Sequence, residues 1–237
     1  MSIHQFAEKV ALVTDGASEI GRAVALQLAL QGCYVIVGFS NANAETAKSA
    51  LFELQNLGTL ANAVETDVST VEGARQLVGE VEKLFGRLDL LVNSLKYKTD
   101  STFEKTDESA WTQTIDSNLK ATFFVTQAAV ALMKARPKPV IVNVVSDCET
   151  TGENLAFAVT QESIKSLTKS LAKQLAPKFR VNAVTVGEAK KEITEILDAE
   201  LFRPKSGRIA ADDVARAVLF LLSSEAVGLN GQILTVS

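Results

Sequence analysis

Short apolar runs rich in valine and isoleucine recur along the chain, at Lys9–Thr14, Tyr34–Phe39, Leu88–Ser94, Val140–Ser146, Val181–Val186 and Gln232–Val236. Their hydrophobicity is continuous rather than alternating, the pattern of strands buried on both faces of a parallel sheet. A less apolar strand at Ala61–Thr66 completes the series. Between them lie stretches of helical periodicity at Ile20–Gln31, Ala44–Leu57, Val71–Phe85, Glu108–Lys134, Ala156–Ala176 and Asp212–Leu222. Strand alternating with helix predicts an α/β fold: a doubly wound parallel sheet of about seven strands with helices on both faces.

Local punctuation agrees with these boundaries. Ser69 and Glu72 have capping-box spacing, Gly32, Gly58 and Gly86 follow helices, and Pro177 stops the longest apolar helix of the second half. The one long polar insertion in the second half, Glu188–Arg208, predicts a partly mobile flap over the carboxyl edge of the sheet. With no repeat, low-complexity tract or linker, residues 1–237 are expected to form a single domain.

Composition narrows the classes of function. A chain of 237 residues, 47% hydrophobic, can bury one substantial core, and a net charge of -4 leaves no basic stripe for nucleic acid. No apolar run reaches the roughly 18 to 20 residues of a membrane helix, so no membrane partner is expected. Cys33 and Cys148 have neither disulfide-framework nor zinc-site spacing, no metal site is expected, and the start Met1-Ser2-Ile3-His4 lacks a signal peptide. The expected location is the cytoplasm.

The most informative chemistry follows the first strand. A dinucleotide-binding turn of Rossmann type uses glycines so that the backbone bends sharply and a pyrophosphate approaches bare N–H groups at a helix N-terminus. Here the turn reads Thr14-Asp15-Gly16-Ala17-Ser18-Glu19-Ile20-Gly21, with carboxylates at two of the three usual glycine positions. At an effective dielectric of about 20, a carboxylate some 4 to 5 Å from a phosphate charge is repelled by roughly 3 to 4 kcal/mol, at least about two orders of magnitude in affinity. A purely structural account also stands: Ser18 and Glu19 cap the helix and complement its dipole.

The stretches "KVALVT", "TDVST", "GRLDLLVN", "SNLKATFFVTQAA", "SLTKSLAKQLAP", "RVNAV" and "ADDVARAVLFLLSSEAVGLNGQIL" span nearly the whole length. On these the chain resembles the short-chain dehydrogenase/reductase family, most of all its 3-oxoacyl carrier-protein reductase branch. The resemblance implies carbonyl reduction with a nicotinamide cofactor through an Asn-Ser-Tyr-Lys tetrad. Asn118 and Ser146 match its first two members, but Phe157 stands at the tyrosine position and Gln161 at the lysine position. Phenylalanine has no proton to give, and a general acid contributes about 10² to 10⁴ in rate. Glutamine supplies no positive charge to lower a tyrosine pKa or anchor a ribose.

Other positions that the resemblance assigns to the cofactor are also altered. Ile20, Gly21, Asp67 and Asn93 remain as matches, while the family's Asn-Asn-Ala-Gly turn reads Asn93-Ser94-Leu95-Lys96 and its Pro-Gly after strand six reads Val186-Gly187. Asp67 answers either to the aspartate that contacts adenine in relatives or to a turn residue before the Ser69 cap. Because strands one and four are neighbours in this topology, Lys96 is expected beside Asp15 and Glu19, filling the pyrophosphate site with an internal ion pair. Gly38-Phe39-Ser40-Asn41 ends the second strand with neither an acid for a ribose hydroxyl nor an arginine for a 2'-phosphate, and so does not choose between NAD and NADP.

Substitutes for the missing pair are weak. Lys165 lies one turn beyond Gln161 and reads as a solvated helix lysine, Tyr97 as a surface contact at a loop tip, and Cys148 as a thiol without a histidine to activate it. The expected function is therefore that of a non-catalytic homologue with no cofactor, acting as a binding or regulatory subunit. It would form homo- or hetero-oligomers, an active paralogue being one candidate partner, through helices 108–134 and 156–176. The alternatives are a weak or atypical reductase of 3-oxoacyl thioesters using NADP or NAD, and a small-molecule binder using the vacated cleft.

Overall fold

The computed structural model describes residues 5–148, 154–187 and 211–237. In chain order the main elements are β1 (Val10–Val13), α1 (Glu19–Leu30), β2 (Tyr34–Phe39), α2 (Ala44–Asn56), β3 (Ala61–Glu65), α3 (Val71–Phe85), β4 (Leu90–Asn93), α4 (Glu108–Ile115), α5 (Ala121–Met133), β5 (Val140–Ser146), α6 (Leu155–Leu175), β6 (Arg180–Val186), α7 (Ala211–Leu222) and β7 (Ile233–Val236). The seven strands form one parallel sheet in the order β3-β2-β1-β4-β5-β6-β7.

The continuous apolar runs become strands covered on both faces. Every residue of β1 is buried: Val10 and Leu12 enter the core shared with α3, α5 and α6, while Ala11 and Val13 enter the core shared with α1 and α7. This two-sided burial is why the first strand shows no alternation in sequence. The edge strand β3 keeps only Val64 buried, which accounts for its weaker apolar signal.

Two helix boundaries differ from the sequence expectation. The cap of α3 is Thr70, not Ser69: Thr70 Oγ1 accepts the Gly73 N–H at 3.0 Å, while Ser69 gives both its N–H (3.0 Å) and its hydroxyl (2.6 Å) to Asp67 Oδ1. Ser69 is engaged by the aspartate two residues before it and so is not available to the helix. The single helix expected over Glu108–Lys134 is divided by a π turn, Asp116–Lys120, between α4 and α5. The insertion Glu188–Arg208 lies outside the described residues. Among the described residues no helix is long and apolar enough to cross a membrane, and no group of three or more His, Cys, Asp or Glu is placed to hold a metal ion.

Candidate functional site

In this strand order the sheet reverses direction of winding between β1 and β4, and ligands of doubly wound folds bind outside the carboxyl ends at that reversal. The two loops leaving these strands are tied together here. Thr14 donates its N–H to the Val92 carbonyl at 3.0 Å, and the Ser94 N–H donates to Thr14 Oγ1 at 3.0 Å. The cleft above them is walled by the turn after β1, the loops after β2, β4 and β5, and the first turns of α6.

The turn after β1 is shaped by residues that serve the helix. Ser18 caps α1, its Oγ accepting the Gly21 N–H at 3.2 Å and donating to the Asp15 carbonyl at 2.7 Å. Gly21 lies against that same carbonyl, and a Cβ there would collide with it. Its glycine is thus explained by close packing, with no ligand needed. Asp15 has φ 47°, a left-handed conformation that aspartate tolerates better than most residues. Its Oδ1 accepts a hydrogen bond from Asn43 Nδ2 at 3.2 Å, a latch from the loop after β2. Burial raises the Asp15 carboxyl above the usual range, and the hydrogen bonds from Asn43 and Ser18 partly oppose that rise. Asn43 was not signalled by the sequence, because nothing local marks it as the partner of a residue in another loop.

The expected ion pair between Lys96 and the two acids is not formed: among the described residues neither Asp15, Glu19 nor Lys96 belongs to an ion pair. Asn43 satisfies Asp15 without charge, Glu19 is exposed at the start of α1, and the Lys96 side chain is exposed to solvent. Lys96 instead lines the cleft.

Two cavities occupy the cleft. The outer one, 160 Å³, is lined by residues that include Asp15, Phe39, Asn43, Asp67, Val68 and Leu77. The inner one, 310 Å³, includes Glu19, Ile20, Ser146, Cys148, Phe157 and Gln161. Among the described residues only Leu95 and Lys96 line both. Their loop is pinned at its start by the Ser94–Thr14 hydrogen bond and at its end by Asn118. The Asn118 amide donates to the Tyr97 carbonyl at 2.8 Å and accepts the Tyr97 N–H at 2.9 Å, while also donating to the Thr114 carbonyl at 2.8 Å. Asn118 sits on the π turn and is fully buried. Its polar capacity is used within the protein.

Of the four positions that the resemblance assigns to the tetrad, Ser146, Phe157 and Gln161 line the inner cavity, while Asn118 holds the backbone of Tyr97 in the loop after β4. Ser146 ends β5, and its backbone N–H donates to Gln161 Oε1 at 2.8 Å. Gln161 is 1% exposed and Phe157 is 4% exposed. Phe157 is placed by Asn154, which caps α6 from a left-handed conformation at φ 59° by accepting the Phe157 N–H at 2.9 Å. The Asn154 amide also donates to Thr99 Oγ1 at 2.9 Å, linking α6 to the loop after β4. An asparagine just before a helical run was the available signal for this residue.

Three further sequence readings change. Lys165 is not a solvated lysine: its side chain is 18% exposed and pairs with Glu162 at 2.6 Å and Asp147 at 3.6 Å, because α6 packs it against the loop after β5. Asn93 does not reach the cleft; it is buried, and its amide donates to Thr126 Oγ1 at 3.0 Å and Asn143 Oδ1 at 2.8 Å inside the sheet. Tyr97 lines the outer cavity rather than standing free at a loop tip. Asp67 forms the turn before α3 and also lines the outer cavity. Cys148 lies at the inner cavity, where burial pushes its thiol up despite Lys98 and Lys165 nearby.

The family model described as enoyl-(acyl carrier protein) reductase matches residues 16–237. The chain is 32% identical over 238 residues to the 3-oxoacyl-(acyl-carrier-protein) reductase FabG of Staphylococcus aureus, covering 97% of this chain and 96% of that protein. It is likewise 32% identical over 237 residues to the enzyme of the same description from Thermotoga maritima, with 96% of each covered. Among solved structures, a short chain dehydrogenase from Burkholderia cenocepacia in complex with NADP aligns with a TM-score of 0.85 at 26% identity over 98% of each chain. A dehydrogenase/reductase from Sinorhizobium meliloti aligns with a TM-score of 0.86 at 26% identity, over 99% of this chain and 95% of that one.

Proposed function

Since the chain belongs to the short-chain dehydrogenase/reductase family, a family of oxidoreductases, we propose that it is a member that has kept the fold and acts by binding rather than by hydride transfer. The single observation that carries this reading is the hydrogen bond from the Ser146 N–H to Gln161 Oε1. At the place where active relatives have a lysine, a neutral amide is buried and spent on the backbone, beside a phenylalanine ring with no proton to transfer. The neighbouring Lys165 is held by Glu162 and Asp147. The lysines that do line the inner cavity, Lys96 and Lys98, are exposed and lie on the loop after β4 rather than on α6.

The cleft residues also do not suit a nicotinamide dinucleotide. A pyrophosphate crossing from one cavity to the other would meet Asp15 on one side and Glu19 on the other. No step through such a cofactor is therefore assigned to this chain. Binding through a partner subunit is supported by apolar side chains left exposed on the two long helical segments, Trp111 at 43%, Phe123 at 41% and Val159 at 39%. These belong to α4, α5 and α6, where the half-buried Ala128 and Ser163 permit close helix approach. Sedimentation of the purified chain, alone and with an active paralogue, is expected to show a dimer or larger assembly; monomer in both would overturn that part.

The competing reading, an NADP- or NAD-dependent 3-oxoacyl reductase, is favoured by retention of Asn118 and Ser146 and by the named activity of the similar relatives. Turnover of NADPH and NADH with 3-oxoacyl thioesters decides between them. The expected result is no turnover above background. Turnover that disappears in Ser146→Ala would overturn the non-catalytic reading.

A further inference from the structure

The turn that leads into β7 carries the one Asn-Gly pair in the sequence, Asn230-Gly231. The fold asks for both residues. Gly231 has φ 74°, a left-handed conformation that suits glycine, and a Cβ there would press on the Ala172 side chain at 3.3 Å. Asn230 ties two elements to the turn: its Oδ1 accepts the Val181 N–H at 2.9 Å, and its Nδ2 donates to the Ala172 carbonyl on α6 at 3.1 Å. The Gly231 N–H donates to the Val181 carbonyl at 2.8 Å. Asn182, buried in β6, holds both flanks, its amide donating to the Leu229 carbonyl at 3.0 Å and accepting the Gln232 N–H at 2.9 Å.

Asn-Gly is also the pair whose side chain and backbone react most readily with each other, because glycine leaves its nitrogen unshielded and its backbone free to rotate. In that reaction the Gly231 nitrogen gives its proton to solvent and bonds to Asn230 Cγ; the Cγ–Nδ2 bond breaks, and ammonia leaves after taking a proton back. Water then opens the five-membered imide at one carbonyl or the other, giving aspartate or isoaspartate. Here the reacting groups are all engaged, and they align only when the bonds to Val181 and Ala172 break together. Those bonds lie at the start of β7, an edge strand that pairs with β6 alone and whose residues are partly or fully exposed. Such a segment opens locally at less cost than global unfolding. We propose that Asn230 is a deamidation site kept silent by the closed turn and released by local opening of β7, without unfolding of the domain. The carboxylate so formed still accepts the Val181 N–H but has no donor for the Ala172 carbonyl. Its charge arises at a cavity of 460 Å³ that Lys169 and Lys173 also line.

Peptide mapping by mass spectrometry, on the full-length protein held at mildly alkaline pH, reads the conversion at Asn230. It also separates that conversion from any isomerisation at Asp15-Gly16, which lies in another peptide and changes no mass. The chain unfolded in urea should convert at least about tenfold faster than the folded protein, the factor that corresponds to losing one or two such hydrogen bonds. In urea too dilute to unfold the domain, conversion at Asn230 and hydrogen exchange of the Gly231 amide should rise by the same factor. Asn182→Ala, which frees both flanks of the turn, should speed both processes several-fold. Should that variant fail to fold, the dilute-urea comparison on the parent decides alone. Equal rates in the folded and unfolded protein would overturn the proposal. So would a rate at Asn230 that stays constant while Gly231 exchange accelerates, or one that rises only with global unfolding.

Discussion

The turns that lead into α1 and α3 share one frame and put it to different uses. At the first, Ser18 Oγ donates to the Asp15 carbonyl and accepts the Gly21 N–H; at the second, Thr70 Oγ1 donates to the Asp67 carbonyl at 2.9 Å and accepts the Gly73 N–H. In each, the glycine three residues after the cap lies against the aspartate's carbonyl, with no room for a Cβ. The frame is therefore a way of starting a helix next to a sheet edge. What differs is the carboxylate. Asp67 turns back onto Ser69 within its own turn, whereas Asp15, at positive φ, reaches Asn43 in another loop and faces the cleft. The same local motif is self-contained in one place and tied across loops in the other, and only the long-range partner distinguishes them.

The largest effect should come from filling the glycine positions. Gly21→Ala and Gly73→Ala each force a methyl group against a backbone carbonyl, an overpacking cost of about 3 kcal/mol. Alanine recovers about 1 kcal/mol of helix propensity, leaving roughly 2 kcal/mol of net loss at either site. In a domain of this size each kcal/mol lowers Tm by about 2–4 °C. Urea unfolding of the two variants should give similar losses. A large loss at Gly73 with none at Gly21 would mean that the turn after β1 is loose, and the equivalence of the two turns would fail.

Removing the capping hydroxyls is the next test. Ser18→Ala and Thr70→Ala each leave a helix N–H without its partner, at about 1 kcal/mol apiece. Ser69→Ala separates the two readings of the α3 start, because Ser69 bonds Asp67 and not the helix. It should cost less than half as much as Thr70→Ala in the same unfolding measurement. A reversed order would restore Ser69 as the cap.

Much of this architecture is readable from the chain and much of the site is not, for physical reasons that differ. Strand and helix positions follow from burial on both sheet faces, which writes itself into sequence as continuous apolar runs such as that around Val10–Val13. The glycines at 32, 58 and 86 announce helix ends because the backbone there takes positive φ. The acids of the first turn, Phe157 and Gln161 are also legible, since each is a single position read by its own side chain. Partnerships across loops were not. Opposite charges in neighbouring loops suggested Lys96 for Asp15, but the geometry chose Asn43, whose uncharged amide pairs with a buried carboxylate without a second charge to desolvate. The loop after β4 is hidden for the same reason: its position depends on Asn118, a residue on another element that bonds the Tyr97 backbone.

The smallest effect is a titration that isolates Asp15 from Asp67. Burial raises the Asp15 carboxyl in the folded protein, so folding favours its protonated form. Its contribution to stability is then fully present below the unfolded value near 3.8 and is lost as pH rises through the higher folded value. Asp15→Asn keeps an oxygen for Asn43 and tolerates the left-handed backbone, but carries no charge at any pH. The variant should melt above the parent at about pH 7.5, by about a degree or more, and the two should converge as pH falls toward about 3.5. Because other carboxylates titrate equally in both proteins, the difference between the melting curves reports Asp15 alone. A gap that stays constant with pH would mean that the carboxylate is not buried at the cleft.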